Sequence, residues 1–174
     1  MGSNYFNFAL GPGASSLTKR TFPSWLAKPE VAAALHVGDT PYAVFNQSVE
    51  DQLMSDWMRG VVPMLTPLLE SYDVLIYNGQ YDVILGPPGT ERALDKLQWS
   101  GSAAYAASPT VKITDDARAD LLGYARTVRS AHNTTFSYVM LRGCGHMVPT
   151  DQPVRAYTML QRYLVPMAPL PPPS

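Results

Sequence analysis

The stretch DVLIYNGQYD, residues 73–82, decides the fold that the sequence predicts. Four consecutive apolar or aromatic residues, Val74 to Tyr77, end at the turn-forming pair Asn78-Gly79. A short apolar run that ends at a turn signal is typical of a buried strand in a parallel sheet. Asp82 follows three residues after the glycine, so the stretch predicts a strand with a carboxylate just beyond its carboxyl end.

A second strand is predicted at residues 135–141, TFSYVML, by alternation and by its β-branched and aromatic residues. The glycine-rich loop RGCGHMVP, residues 142–149, follows it and contains His146. A closing helix is predicted from Asp151 onward. In this helix Val154, Tyr157, Leu160 and Leu164 form one apolar stripe.

The region between the two strands is expected to contain a helix that Thr90 caps and that runs through Trp99. Its predicted inner face consists of Ala93, Leu94 and Leu97. Residues 117–130 also fit a helix by spacing alone. The closing order of strand, helix, strand and helix belongs to an α/β sheet.

Residues N-terminal to the first strand, from Pro23 to Tyr72, have helical patterns. Pro29 suits a first helical turn, and Ser48 precedes an acidic residue, Asp51, at capping spacing. Apolar residues then recur at helical spacing and are expected to pack in a core: Met54, Trp57, Met58, Val61 and Leu65. Residues 166–174 are rich in proline and predict an extended or disordered tail.

Composition excludes several function classes. The chain has 174 residues, 46% of them hydrophobic, and a formal net charge of −1. It therefore lacks the excess of positive charge that is typical of proteins that bind nucleic acid or an anionic membrane. No apolar run is long enough for a membrane span, and the first residues do not resemble a signal peptide. Cys144 is the single cysteine, and two N-glycosylation sequons begin at Asn46 and Asn133.

Asp82 and His146 are the candidate catalytic residues. Functional groups of an open α/β sheet gather beyond the carboxyl ends of its strands. If the two strands are parallel and close, the aspartate can bind a ring nitrogen of the histidine and stabilise the imidazolium form. Two simpler interpretations stay open at this point: Asp82 as a turn former or helix cap, and His146 as a hydrogen-bonded turn residue.

Two motifs resemble the C-terminal motifs of serine carboxypeptidases, most closely those of the vitellogenic-like type. They are Val74-Leu-Ile-Tyr-Asn-Gly-Gln-Tyr-Asp82 and Arg142-Gly-Cys-Gly-His-Met-Val-Pro149, the second followed by Asp151-Gln-Pro153. Shorter similarities extend the resemblance from about residue 3 to residue 164. One of them is Ser3-Asn-Tyr-Phe-Asn-Phe8, which resembles a stretch upstream of the family's helical insertion.

The resemblance implies the C-terminal part of an α/β-hydrolase fold. Residues 1–72 would form a loop and helical insertion (cap) segment, residues 73–165 the hydrolase core, and residues 166–174 a tail. It also implies that residues 117–130 form a strand that leads into a hairpin, with His132 as a solvated residue of its turn.

The resemblance implies a role for each site residue. Asp82 matches the triad acid and His146 the triad base, and Met147 matches a residue that lines the pocket for the departing C-terminal amino acid. Ordinary packing beside the histidine is the alternative for Met147. The implied substrates are peptide C-termini, with no metal or organic cofactor, and the implied compartment is lysosome-like, vacuolar or secretory.

The nucleophile of the family is not found in the sequence. No Gly-x-Ser-x-Gly motif occurs, and the nearest approach, Gly11-Pro-Gly-Ala-Ser-Ser16, lacks the strand and helix that such an elbow requires. The leading hypothesis is therefore a serine carboxypeptidase chain that supplies two triad members, inactive by itself, with the serine on another half or chain. Cys144 as a substitute nucleophile is a minor alternative. A non-catalytic, truncated paralogue that serves as an interaction module is the second hypothesis.

Overall fold

The computed structural model describes residues 4–11, 22–43, 45–57, 59–115, 118 and 120–164. The predicted tail at 166–174 and residues 12–16 of the nearest elbow-like stretch lie outside these ranges. The chain divides into two compact units, one formed by residues 1–14 and 62–174 and the other by residues 15–61. The segment boundary at residue 72 stays a prediction, and the compact units divide the chain at other positions.

Four strands form one mixed sheet in the larger unit. They are β1 (Val74–Gly79), β2 (Val111–Asp115), β3 (Asp120–Arg129) and β4 (Thr135–Leu141). Their order in the sheet is β1-β4-β3-β2. β1 and β4 are parallel neighbours and the other pairs are antiparallel. Both strands predicted from the sequence, and the expectation that they lie parallel and close, are confirmed.

The described residues contain eight helices, of which α4 to α8 belong to the unit with the sheet. They are α1 (Phe22–Leu26), α2 (Pro29–Ala34), α3 (Gln47–Trp57), α4 (Val62–Ser71), α5 (Pro87–Leu94), α6 (Ser102–Ala107), α7 (Val148–Asp151) and α8 (Pro153–Leu164). Pro29 opens α2, as predicted, because its fixed φ suits a first turn. The mixed sheet with helices confirms the α/β class.

The helix that spacing alone allows at residues 117–130 is wrong, and the strand that the resemblance implies is confirmed. β3 pairs with β2 along one side and with β4 along the other, from Gly123 to Arg129. This cross-strand hydrogen bonding overrides the local helical pattern. The hairpin turns through His132 and Asn133, and the His132 side chain is 64% exposed.

Two buried clusters hold the sheet unit together. One joins β3 and β4 to the helices that follow the histidine loop, through Leu122, Val139, Leu141, Cys144, Val148, Ala156 and Met159. The other joins α4, α5 and α6 to the sheet, through Leu69, Leu94, Trp99, Tyr105, Phe136 and Tyr138. Because Cys144 and Val148 lie in the first cluster, the segment that carries His146 is anchored in the core on both sides.

Two predicted helix starts are wrong. α5 begins at Pro87 after an N-cap at Gly86, because proline suits the first turn, and it ends at Leu94, before Trp99. Leu94 and Leu97 are buried as expected, but Ala93 is exposed. The cap of α3 is Asn46 and not Ser48, because the Asn46 Oδ1 accepts the backbone N–H groups of Ser48 and Val49 at 3.0 and 3.3 Å.

The prediction that the apolar residues from 54 to 65 pack in a core is wrong for three of them and confirmed for Leu65, which packs against the second buried cluster, while Met58 lies outside the described residues. Met54, Trp57 and Val61 are 55, 56 and 60% exposed. On α8, Val154, Tyr157 and Leu160 are exposed, and the helix packs on the sheet through Ala156 and Met159. The small side chain of Ala156 allows close approach, so the core side of α8 differs from its largest apolar stripe.

Candidate active site

The two candidate loops meet because their strands end together. Gly79 at the end of β1 is in register with Leu141 at the end of β4, and the strands are parallel. The backbone N–H of Gln80 donates to the Leu141 carbonyl at 2.9 Å, and that of Tyr81 donates to the Cys144 carbonyl at 2.8 Å. The loop after β1 therefore continues along the loop after β4 before either chain turns away.

Glycines permit this close approach. A Cβ at Gly79 would overlap the Gly145 carbonyl, and a Cβ at Gly145 would overlap the Phe6 carbonyl. Gly143 has a φ of 74°, in the left-handed region that favours glycine. The GxG pattern before the histidine is therefore required by backbone contact and by a turn.

Asp82 is held in place by its own loop. Its side chain is 4% exposed, and its Oδ1 accepts the backbone N–H of Leu85 at 3.0 Å. The Asn78 amide donates to the Leu85 carbonyl at 2.8 Å, which closes the loop from the other side. The second oxygen, Oδ2, is thus directed to one partner.

That partner is His146. The distance from His146 Nδ1 to Asp82 Oδ2 is 2.9 Å, and the His146 side chain is 28% exposed. A carboxylate at Nδ1 places the ring proton on that nitrogen, so the lone pair of the neutral ring is on Nε2. Within the described residues Nε2 has no hydrogen-bond partner. The pair can accept a proton at Nε2 and stabilise the resulting imidazolium.

Sequence reasoning took residues 4–8 as loop and missed their role at this site. The Phe6 carbonyl accepts the backbone N–H of His146 at 2.6 Å, and the two rings lie 5.7 Å apart. Asn7 is buried and donates its amide to Asp151 at 2.8 Å. Two asparagines three residues apart, Asn4 and Asn7, were the available signal, because such residues bind nearby backbone groups in turns.

Met147 lies next to the histidine as the N-cap residue of α7 and is half-buried. Its carbonyl accepts the N–H groups of Thr150 and Asp151, both at 2.9 Å. The structure gives this backbone role, and the pocket-lining role of its side chain stays a prediction.

Cys144 does not have the surroundings of a nucleophile. Its side chain is fully buried, its Sγ donates to the Leu141 carbonyl at 3.4 Å, and burial raises the pKa of the thiol to about 11. Reactive cysteines have a lowered pKa and are accessible. The geometry therefore argues against Cys144 as a substitute for serine.

The two sequons lie apart from Asp82 and His146 in the chain. Asn46 is exposed and caps α3, while Asn133 is exposed in the β3–β4 hairpin, with a φ of 66°. The side chains of the described residues form no group of three or more His, Cys, Asp or Glu that would hold a metal ion. None of the described helices combines the length and hydropathy of a membrane span.

Comparison with known proteins agrees with these motifs. The family model described as serine carboxypeptidase matches residues 6–165. A human protein named probable serine carboxypeptidase CPVL is 36% identical over 165 residues, which cover 93% of this chain and 33% of the human protein. The venom serine carboxypeptidase of Apis mellifera is 36% identical over 140 residues, covering 80% of this chain and 28% of the bee protein.

The chain is also similar to the vitellogenic carboxypeptidase of Aedes aegypti, at 31% identity over 92% of this chain and 33% of the mosquito protein. It thus spans about a third of the length of the curated relatives that it matches.

A solved structure has the same fold. The crystal structure of Kex1(Δ)p, a prohormone-processing carboxypeptidase from Saccharomyces cerevisiae, superimposes with a TM-score of 0.68 at 21% identity. It covers 97% of this chain and 37% of the yeast chain. The expected α/β-hydrolase fold is therefore confirmed. Together with the family match, these relatives establish that the chain belongs to the serine carboxypeptidase family and corresponds to a C-terminal region of it.

Proposed function

We propose that this chain supplies the acid and the base of a serine carboxypeptidase, and that a serine outside the printed sequence supplies the nucleophile. The observation that carries the proposal is the 2.9 Å contact between His146 Nδ1 and Asp82 Oδ2, with Nε2 left for a third group. Asp82 and His146 lie in the chain order that α/β-hydrolases use after their nucleophile.

In the proposed reaction, Nε2 of His146 accepts the hydroxyl proton of the serine as its oxygen attacks the C-terminal peptide carbonyl. The imidazolium then donates that proton to the leaving amine, which releases the C-terminal residue and leaves an acyl ester. The same nitrogen then deprotonates a water molecule, which attacks the ester carbonyl, and the imidazolium returns this proton to the serine oxygen as the carboxylic acid product leaves. Asp82 holds the ring and stabilises its charged form in both steps.

The proposal requires the isolated chain to be inactive, because residues 1–174 contain no serine in a nucleophile elbow. The test isolates the tagged chain from its natural source under native conditions and treats it with a fluorophosphonate probe, which labels activated serines. We expect the label on a serine outside residues 1–174, in a segment continuous with the chain or bound to it. We also expect the His146→Gln substitution to abolish this labelling.

Purified residues 1–174 serve as the comparison and are expected not to hydrolyse N-blocked dipeptides. Turnover by the pure chain that His146→Ala abolishes would contradict the proposed division of the triad. Native material with no labelled serine would favour the second candidate, a non-catalytic paralogue. That candidate is supported by the missing nucleophile motif and by the exposed apolar side chains of α8.

We further propose a secretory or lysosome-like compartment and glycosylation at Asn46 and Asn133. The bee relative named as a venom enzyme and the exposure of both asparagines support this. The test is the electrophoretic mobility of the natural protein with and without N-glycosidase. Asn46→Asp keeps an oxygen that can cap α3 and removes only the sequon, so its own mobility shift would report glycosylation there.

A further inference from the structure

We propose that the segment Asn4–Phe8, fixed by Asp151, is a brace that sets the position of His146 against Asp82. The inference rests on the proposed function for its catalytic meaning, and its contacts stand independently. Asn7 and Asp151 are positioning residues in this proposal, because neither forms a hydrogen bond with the His146 ring or with the Asp82 carboxylate.

One carboxylate oxygen connects the brace to the histidine loop. Asp151 Oδ2 accepts the Asn7 amide at 2.8 Å and the backbone N–H of Gly145 at 2.8 Å. Hydrogen bonds to a carboxylate are the stronger ones in proteins. Asn7 is only 4% exposed, so its amide would be left buried and unpaired if Asp151 were removed.

The next residue of the histidine loop is held by the brace directly. The N–H of His146 donates to the Phe6 carbonyl, and the Phe6 ring lies against the imidazole. Asn4 Oδ1 accepts the N–H groups of Phe6 and Asn7 at 3.1 and 3.2 Å, which keeps the segment in its turn. Two consecutive N–H groups are therefore fixed, that of Gly145 by Asp151 and that of His146 by the Phe6 carbonyl of the brace.

The same segment also contacts the loop that carries the acid. The N–H of Val83 donates to the Tyr5 carbonyl at 3.3 Å, and the N–H of Phe8 donates to the Tyr81 carbonyl at 3.1 Å. The Phe8 and Tyr81 rings meet edge to face at 4.9 Å. The brace thus contacts residues on both sides of Asp82 as well as His146, so it can determine the distance between them.

The test is NMR spectroscopy of the imidazole groups in the full chain, which has only three histidines. His36 and His132 are exposed and serve as internal references, and His146→Gln assigns the third signal. The measured quantity is the exchange rate of the His146 Nδ1 proton with water. Asn7→Ala is expected to raise this rate on the order of tenfold, because one charged hydrogen bond of the brace is lost.

Two further variants make the result specific. Asp151→Asn keeps an oxygen at the same place without its charge, so the exchange rate should lie between those of the wild type and Asn7→Ala. Asp73→Ala is the matched control, since it removes a side-chain bond to Thr135 N–H at the opposite end of β1 and β4 and should leave the signal unchanged. If Asn7→Ala fails to fold, the exchange rate in Asp151→Asn alone tests the brace.

The proposed brace would be rejected if the Nδ1 exchange rate of Asn7→Ala were within about twofold of the wild-type rate. If Asp151→Asn is the only variant that folds, the same limit applies to it. If Asp82→Asn alone changed the rate, the Asp–His pair would stand and the brace would be wrong. If the Nδ1 proton of His146 in the wild type exchanged as that of His36 does, the brace would be rejected. The Asp82–His146 pair, on which the proposed function rests, would be rejected with it.

Discussion

At the scale of single residues, the site depends on backbone contacts as much as on its two titratable side chains. Asp82 and His146 meet because Gly79 and Gly145 have no Cβ and their loops can touch. Asp82 has both oxygens occupied, one by Leu85 N–H and one by His146, so its orientation is fixed. A fixed carboxylate orders the imidazole ring that it contacts, which the proposed reaction requires.

The buried thiol beside the histidine gives the first prediction. Burial raises the pKa of Cys144 from 9.0 to about 11, so its thiolate fraction at pH 8 is roughly 100-fold below that of an ordinary cysteine. Cys144 in the folded chain should therefore react with iodoacetamide at least this much more slowly than in the chain unfolded by guanidinium. The measurement is alkylation followed by mass spectrometry, and equal rates in the two states would contradict the burial.

At the scale of elements, part of the fold follows from the sequence and part depends on tertiary contacts. β1, β4 and the meeting of Asp82 with His146 follow from two apolar runs that end in glycine-containing loops. Spacing allowed a helix where β3 forms, because Leu121, Leu122, Ala125 and Val128 fit helical and extended backbones alike. The resemblance, and not the residue pattern, corrected that prediction.

Other features of the fold depend on tertiary contacts in the same way. The orientation of α8 is set by the fit of Ala156 and Met159 against the sheet, which hydrophobic size alone does not predict. The spacing of Asn4 and Asn7 indicates a turn, but the partners of this turn at Asp151 and His146 are more than 130 positions away, so the local pattern does not reveal which residues it contacts. The sequence thus predicted the contact between Asp82 and His146 but not the contacts of Asn4–Phe8 with the histidine loop.

The cluster between α6 and β4 gives the second prediction, on pH dependence. Burial raises the pKa of Tyr105 to about 12 and also raises the pKa of Tyr138. Both hydroxyls are buried without a partner in the described part of the chain. Because the folded pKa lies above the ordinary value of 10.0, the associated stability is complete below about pH 10 and is lost as pH rises through the folded pKa.

The double variant Tyr105→Phe/Tyr138→Phe should therefore unfold less readily than the wild type between about pH 10 and 12. At pH 7 its free energy of unfolding should be within about 1 kcal/mol of the wild-type value, because no hydrogen bond to a described residue is lost. The contact of Arg126 with the ring at position 105 is also kept. Urea unfolding followed by circular dichroism across this range is the measurement. A variant that is as alkali-sensitive as the wild type would refute the assignment.

At the scale of the whole molecule, the described surface of the sheet unit includes an edge strand and an exposed apolar stripe. β1 is an edge strand of the sheet, although parallel strands with apolar sequences are usually covered. Val154, Tyr157 and Leu160 form an exposed apolar stripe on α8. Unpaired edges and apolar patches promote association, so the purified chain should self-associate with rising concentration.

Tyr157→Lys should weaken this self-association, because it places a charge in the α8 stripe, where Tyr157 is 58% exposed. Thr150→Lys adds the same charge at an exposed position of α7, outside the stripe, and should associate like the wild type. Sedimentation velocity over a concentration series measures the effect. A chain that stays monomeric throughout, or a Thr150→Lys variant that dissociates equally, would contradict the contribution of the stripe.

In the proposed function, His146 is the base of a carboxypeptidase whose serine lies outside this sequence. The most direct test is kcat/KM for an N-blocked dipeptide, measured on the native assembly that contains the chain, with wild-type, His146→Gln and His132→Gln proteins. We predict a loss of roughly 10⁴-fold or more for His146→Gln, because a triad base is removed, and no loss for the exposed His132. A His146→Gln assembly within about tenfold of the wild type would contradict the claim.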